Sequence, residues 1–373
     1  MDHHRLLGMA LSFVPGMNAP LVRHMEEMGV GVEEFFSSGQ QELAARLNAG
    51  VSPVLDRMVR DEALFKARKE SEFMERHGIV SFSLTDEDYP SRLADIDRAP
   101  VTLYRLGSAD LDADKMLSIV GTRHATAYGV RYVGKLVEEL APYFPGMVIV
   151  SGLALGIDSA AHEAALSAGL PTVAVLAHGL NTIYPAQNRD LARRIIASGG
   201  AIVSEYPSGV TPYRSRFLER NRIVATMTDA VLVAESADKG GAMSTAAVAS
   251  SYGRELIALP GRIGDEMSAG CNRLIRSQKA LMAGSAADLM TMLGWEPKAL
   301  VAAIKHRDLF PELSGSQKLI YDALRLSLQP MPVDSIRERT GIQIHELMAN
   351  LGEMEFEGIV ERLPGNRFSL ISY

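Results

Sequence analysis

One unit recurs along the middle of this chain: a short apolar run, a glycine-bearing turn, then a helical stretch. The runs are MLSIVG (116–121), VIVSG (148–152), TVAVLA (172–177), AIVSE (201–205), AVLVAE (230–235) and ELIALPG (255–261). Each is nearly continuous in apolar residues where a half-buried strand would alternate, so these read as parallel strands covered on both faces. Helical patterns such as VRYVGKLVEELA, DSAAHEAALSAG and NRDLARRIIASGG lie between them. This alternation predicts a doubly wound, mostly parallel α/β sheet over residues 79–295.

The flanks differ. Residues 1–78 read as a small helical domain, with LVRHMEEM, VEEFF, QELAARL and Pro53–His77 separated by Pro15-Gly16, Gly29, Gly39 and Asn48-Ala49-Gly50. Those breaks are helix-stop chemistry. The segment VPGMNAPLVRHMEEMG resembles a helix-hairpin-helix turn, in which glycines let backbone amides approach a phosphate. Asn18 stands where the second glycine belongs, so a plain helical turn is expected. Residues 296–313 carry Pro297 and Pro311 and read as a linker. Residues 314–373 read as a winged helix: SQKLIYDALRL, VDSIRERTG and IHELMANLGEMEFEGIV as helices, then VERLPGNRFSLI as a wing turning at Pro364-Gly365-Asn366.

In open α/β sheets, ligands bind beyond the carboxyl ends of the strands, where the strand order reverses. The turns there are Gly121-Thr122-Arg123, Ser151-Gly152-Leu153, His178-Gly179-Leu180, Glu205-Tyr206-Pro207, Lys239-Gly240-Gly241-Ala242-Met243-Ser244-Thr245 and Gly261-Arg262. Small residues at helix starts free backbone N–H groups for an anion, and the helix dipole favours negative charge. Several such turns on one sheet edge point to phosphate recognition, with Ser151, Ser244 and Thr245 able to add hydroxyl donors.

The formal net charge is −7, so a nucleic-acid function needs a local basic patch. Residues 214–222 supply one: Arg214, Arg216, Arg220 and Arg222 surround Phe217. Guanidinium groups clamp phosphates bidentately, and an exposed phenylalanine offers a face on which any base can stack. The bland alternative is an amphipathic helix start with Phe217 turned inward and the arginines covering surface.

Other chemistries find little footing. The turn GTRHATAYG lacks the G-x-G-x-x-G of a dinucleotide site, and no H-E-x-x-H, G-x-S-x-G or Walker loop occurs. One cysteine, Cys271, excludes an intrachain disulfide and a cysteine-rich zinc site. No cofactor is expected. The N-terminal stretch MDHHRLLGMALSFVPGM is too short and broken to span a bilayer and lacks a signal-peptide plan, so cytoplasm is the expected location, with no membrane partner. His162 reads as a packing residue of its helix. Glu205 and Glu235, at strand ends, read either as crevice carboxylates or as helix N-terminal acids.

Taken together, IVGTRHATAYG (119–129), SGLALGIDSAAHEAALSAG (151–169), YPAQN (184–188), SEYPSG (204–209), FLERNRIVA (217–225), the turn at 239–245 and LPGRI (259–263) resemble the DNA processing protein A (DprA/Smf) family, with DYPSRLADIDRAPVTLYRLG (88–107) as its lead-in. The resemblance implies an extended Rossmann-like domain that binds single-stranded DNA without catalysis and commonly forms a homodimer. It also implies protection of incoming DNA and loading of the RecA recombinase during natural transformation. The binding residues it implies are Arg123, Ser151, Gly152, Phe217, Arg220, Asn221, Arg222, Gly240, Gly241, Ser244 and Thr245, and Lys239 adds positive charge. Three departures stand out: Lys239-Gly240-Gly241-Ala242 for a Ser-Gly-Ser-like turn, Leu218 for a proline, and SQKA (277–280) for an aspartate-glycine-alanine stretch.

Two rivals stay open. A phosphoribohydrolase resembling the lysine-decarboxylase-like (LOG) proteins would need a glutamate soon after its glycine turn, and none follows Gly241 before Glu255. A winged-helix transcriptional regulator would need a basic third helix, whereas this one carries Glu346, Glu353, Glu355 and Glu357. A protein-contacting or self-packing role is the expectation for that helix.

Overall fold

A computed structural model describes residues 2–50, 52–296, 313, 315–325, 327, 330–356, 359–363 and 366–370. They fall in two compact units, residues 1–298 and 299–373. The expected linker lies almost wholly outside the described residues, as do Glu357 and the Pro364-Gly365 part of the wing turn.

The first unit opens with helices α1 (His3–Leu11), α2 (Ala19–Glu27), α3 (Val32–Ser37), α4 (Gln40–Arg46) and α5 (Arg57–His77). Asn18 caps α2 by accepting from Leu21 N at 3.0 Å, which makes its hairpin position a helix-capping one. The segment Pro53–His77, read as one helix, is a short 3-10 turn over Pro53–Leu55 followed by α5. Asp56 divides them, because its carboxylate accepts from Met58 N at 2.8 Å. Leu11, Met25, Phe35, Leu43 and Met74 form the core of these helices, and Ile79 and Tyr104 of the neighbouring sheet complete it.

The chain then alternates: β1 (Ile79–Ser83), α6 (Ser91–Ala94), β2 (Thr102–Gly107), β3 (Met116–Gly121), α7 (Ala127–Leu140), β4 (Val148–Ser151), α8 (Ile157–Ser167), β5 (Thr172–Leu176), α9 (Arg189–Ala197), β6 (Ala201–Ser204), α10 (Arg214–Thr226), β7 (Ala230–Glu235), α11 (Gly241–Ser251), β8 (Glu255–Ala258), α12 (Ala269–Arg276), β9 (Leu281–Met282) and α13 (Ala286–Leu293). The strand order is β1-β2-β6-β5-β4-β3-β7-β8-β9. From β3 to β9 every pairing except those of β2 is parallel, as the continuous apolar runs require. The β1–β2 and β2–β6 pairings are antiparallel and extend one edge.

Two hydrophobic layers sandwich the sheet. Leu136, Val137, Ile157 and Ala161 of α7 and α8 pack on one face, and Ile223, Val224, Ala246 and Leu274 of α10, α11 and α12 belong to the core on the other. From β3 the chain steps outward through β4 and β5 to β6, then returns across to β7 on the opposite side of β3. The strand order therefore reverses beside β3, and the loops at the carboxyl ends of β3, β4 and β7 meet there.

The second unit contains α14 (Gly315–Arg325), β10 (Met331–Pro332), α15 (Val333–Thr340), α16 (Ile344–Phe356), β11 (Val360–Leu363) and β12 (Arg367–Leu370), with sheet order β10-β12-β11. Ile320, Ile336, Leu347, Leu351 and Phe368 share its core. Glu346 accepts from Ser316 Oγ at 2.7 Å and Glu353 from Gln317 Nε2 at 3.1 Å, so two of the acids on α16 tie it to the start of α14.

Candidate nucleic-acid interface

Arg123 is set by the turn that follows β3. Thr122 N donates to Glu235 O at 2.7 Å, and Ile157 N donates to Thr122 O at 3.1 Å. The turn passes so close to the start of α8 that a Cβ on Gly156 would lie 2.7 Å from the Arg123 carbonyl carbon, and Gly156 has φ +81°. Only glycine meets both demands. Glu235, buried at the end of β7, accepts from Thr126 N at 2.8 Å and also from Thr126 Oγ1. Its carboxylate is thereby committed to the start of α7. With its backbone fixed on both sides, the exposed Arg123 side chain makes no hydrogen bond among the described residues.

Beneath this turn lies a buried charge cluster. Arg220 is 5% exposed, and its Nη1 donates to Gly152 O at 2.6 Å and to Val175 O. Asp158 Oδ2 accepts from Gly152 N at 3.2 Å and Ala154 N at 3.3 Å. Burial pushes the Asp158 carboxyl upward and the Arg220 guanidinium downward, and the charge of each opposes the shift in the other. Ser151 is buried and donates to Ile119 O at 2.6 Å. The Gly152 amide, the Ser151 hydroxyl and Arg220 Nη1, all three expected to meet the strand, each make hydrogen bonds inside the protein.

Arg222 is also engaged inside the protein. It is 9% exposed and grips Glu205 through Nη1 at 2.5 Å and Nη2 at 2.6 Å. Its Nε donates to Arg98 O at 2.7 Å and its Nη1 also reaches Glu219 O at 2.9 Å. Such a bidentate, backbone-anchored pair leaves little donor capacity for DNA. Asn221 Nδ2 donates to Ser244 Oγ at 3.0 Å, and Ser244 Oγ donates to Gly241 O at 2.7 Å, fastening α10 to α11. Thr245 is buried. Gly240 packs with its Cβ position 2.5 Å from Ser236 Oγ, whereas Gly241 is exposed with open space where a Cβ would be.

What remains at the surface is smaller and sharper. Arg123 Cζ lies over the Phe217 ring, 5.9 Å from its centroid, and the Tyr184 ring stands 5.8 Å from Phe217 at 57°. Phe217 is half-buried, Tyr184 is 48% exposed, and Lys239 is exposed beyond the end of β7. Arg214, at the first position of α10, is exposed and makes no side-chain hydrogen bond among the described residues. Arg216 lies over Tyr206, 5.6 Å from the ring centroid. The edge thus offers cations beside aromatic rings, the side-chain chemistry that suits phosphates and bases.

Tyr184 was not singled out from the sequence, and Arg214 was named in the basic patch but not in the binding set that the family resemblance implies. Arg214 belongs to the arginine run, and its first-turn position is the signal that could have separated it from Arg220 and Arg222. Among the described residues no group of three His, Cys, Asp or Glu could hold a metal, and no helix is long and apolar enough to cross a membrane.

Comparison with known proteins gives concordant matches. The family model described as DNA recombination-mediator protein A matches residues 81–294, and a model described as the DprA winged helix domain matches residues 309–366. Protein Smf of Escherichia coli is 35% identical over 289 residues, covering 75% of this chain and 74% of that protein. DNA processing protein DprA of Streptococcus pneumoniae is 40% identical over 202 residues, covering 54% of this chain and 70% of its own. The X-ray structure of DprA from S. pneumoniae superposes with a TM-score of 0.63 at 31% identity, covering 78% of this chain and 98% of that one. A structure of DNA processing protein A from Helicobacter pylori, described for its single-stranded DNA binding mode, superposes with a TM-score of 0.52 at 33% identity, covering 58% and 95%.

Proposed function

The chain belongs to the DNA recombination-mediator protein A family, and on that premise we propose that it binds single-stranded DNA, without sequence preference and without catalysis, along the carboxyl edge of its sheet. The observation that carries the reading is the cluster of Arg123, Phe217 and Tyr184, a cation and two rings at the surface of a protein of net charge −7. Arg123, Arg214 and Lys239 are exposed cations with donors to spare for phosphates, and Gly241 leaves its backbone open to close approach. Ser151, Gly152, Arg220 and Arg222 build the platform instead of touching the strand.

Stacking and phosphate contacts carry no base identity, which supports sequence-tolerant binding. The single-strand binding described for the H. pylori relative supports the same ligand. Protection of that strand and its delivery to the RecA recombinase during natural transformation complete the proposal, in keeping with a family described as recombination mediators. A homodimer belongs to it as well: β9 at one end of the sheet exposes Leu281 and Met282, an apolar edge that a second copy could cover.

Fluorescence anisotropy of labelled oligo-dT and of a matched duplex, each at two salt concentrations, tests the ligand. Tight, salt-sensitive binding of the single strand with weak duplex binding is expected. Equal affinity for the duplex, or no binding to either, would overturn the reading.

A further inference from the structure

We propose that the N-terminal helices hold part of the sheet edge in its binding shape, through a latch that Glu70 of α5 makes to the loop after β6. The inference rests on the single-strand reading above. Glu70 is 7% exposed, on a helix whose other charged side chains, Arg60 apart, stay at the surface. A buried carboxylate is costly unless its oxygens are bonded. Here both are: Ser208 N donates to Oε1 at 2.8 Å, and Ser208 Oγ donates to Oε2 at 2.6 Å.

Ser208 belongs to one of two loops that are zipped together. Gly179, after β5, donates its N–H to Val210 O at 2.9 Å, and Asn181 Oδ1 accepts from Gly209 N at 3.1 Å. A Cβ on Gly179 would lie 2.4 Å from Pro207 O, so the loops after β5 and β6 run in direct contact. Leu180 packs against the core of the N-terminal helices and also against that of Leu176 and Leu191. The helices therefore reach both loops, one by an apolar contact and one by charge-assisted hydrogen bonds. The apolar contact is non-directional, whereas the paired bonds fix where Ser208 sits. A loop already ordered does not have to be ordered when the strand arrives, which raises affinity without a contact to DNA. Glu70 is thus a positioning residue.

Charge and bonding predict opposite signs for its variants. Losing a negative charge favours a polyanion, so a variant that only discharges Glu70 should bind at least as well. Glu70→Gln does only that: its Oε1 can accept from Ser208 N and its Nε2 can donate to Ser208 Oγ. Glu70→Ala discharges the position and breaks both bonds.

The test measures oligo-dT affinity and hydrogen–deuterium exchange over residues 206–210 in the full chain and both variants, with melting temperatures to show folding. Glu70→Ala should speed exchange at the Ser208 amide about tenfold, since it loses a bond to a charged acceptor. It should also weaken oligo-dT binding about fivefold, the lower end of coupling between sites. Glu70→Gln should match the unaltered chain in both. Ser208→Ala, which keeps the backbone bond, should shift both readings the same way by less, and carries the test if Glu70→Ala does not fold. Equal affinities for Glu70→Ala and Glu70→Gln, or unchanged exchange in Glu70→Ala, would overturn the latch while leaving single-strand binding in place. Failure of the unaltered chain to bind oligo-dT would remove the single-strand reading, and this coupling with it.

Discussion

Arg220 fills the space that a side chain on Gly152 would need. A Cβ on Gly152 would lie 2.6 Å from Arg220 Cζ, and the guanidinium cannot retreat because Nη1 is bonded to Gly152 O and Val175 O. The glycine after β4 is thus there for a buried arginine. Gly152→Ala should destabilise the fold by about 2 kcal/mol, the usual range for overpacking a filled core. Urea unfolding measures it; an unchanged midpoint would put Arg220 elsewhere.

The Arg222–Glu205 pair should behave as architecture. Its Nη1–Oε1 and Nη2–Oε2 contacts are 2.5 and 2.6 Å, and both side chains are largely buried. Removing one partner strands the other, at a cost of about 3 kcal/mol. Arg222→Ala and Glu205→Ala should each lower stability by that order. The double variant should lose much less than the sum, which a double-mutant cycle reads directly.

Stability should fall with acid through His162. Thr172 Oγ1 spends its hydrogen on Ile149 O at 2.7 Å, so His162 Nδ1, 2.7 Å from the same oxygen, must be the donor of a neutral imidazole. Burial is the main cause that lowers the pKa from 6.5 to about 3. Above the unfolded value both states are neutral and the stability is intact. As pH drops below 6.5 the unfolded chain takes up a proton that the folded chain refuses. Between pH 7 and pH 5 this group should cost about 2 kcal/mol. Denaturant titrations at the two pH values should show a loss smaller by that amount in His162→Asn, whose amide can still donate to Thr172. An identical pH dependence would exclude His162 as the titrating group.

The sheet was legible because its signal is local. Each parallel strand is a continuous apolar run, and the observed β3 to β8 fall within the runs read from sequence. The antiparallel β1 and β2 were not singled out: β1 mixes serines with its apolar residues, and β2 closes the lead-in, whose polarity is mixed. The site was legible as a set of turns but not as roles. Residue type marked Arg220 for phosphate, yet Arg220 falls on the stripe of Ile223 and Val224 in α10 and of Met227 just past its end, spaced three, four and seven residues on, and so is buried with them. That spacing was available in the sequence. The position of Tyr184 was not: it meets Phe217, as Arg123 does, only through folding, because the three follow different strands.

The central claim is that surface cations, Arg123 foremost, hold the strand while the buried arginines hold the protein. The slope of log binding constant against log salt for oligo-dT tests it most directly. Arg123→Ala should weaken binding, reduce the magnitude of that slope by about 0.7, the value for one phosphate contact on a single strand, and leave the melting temperature unchanged. An unchanged slope with unchanged affinity would contradict the account and move the strand away from the Arg123 edge.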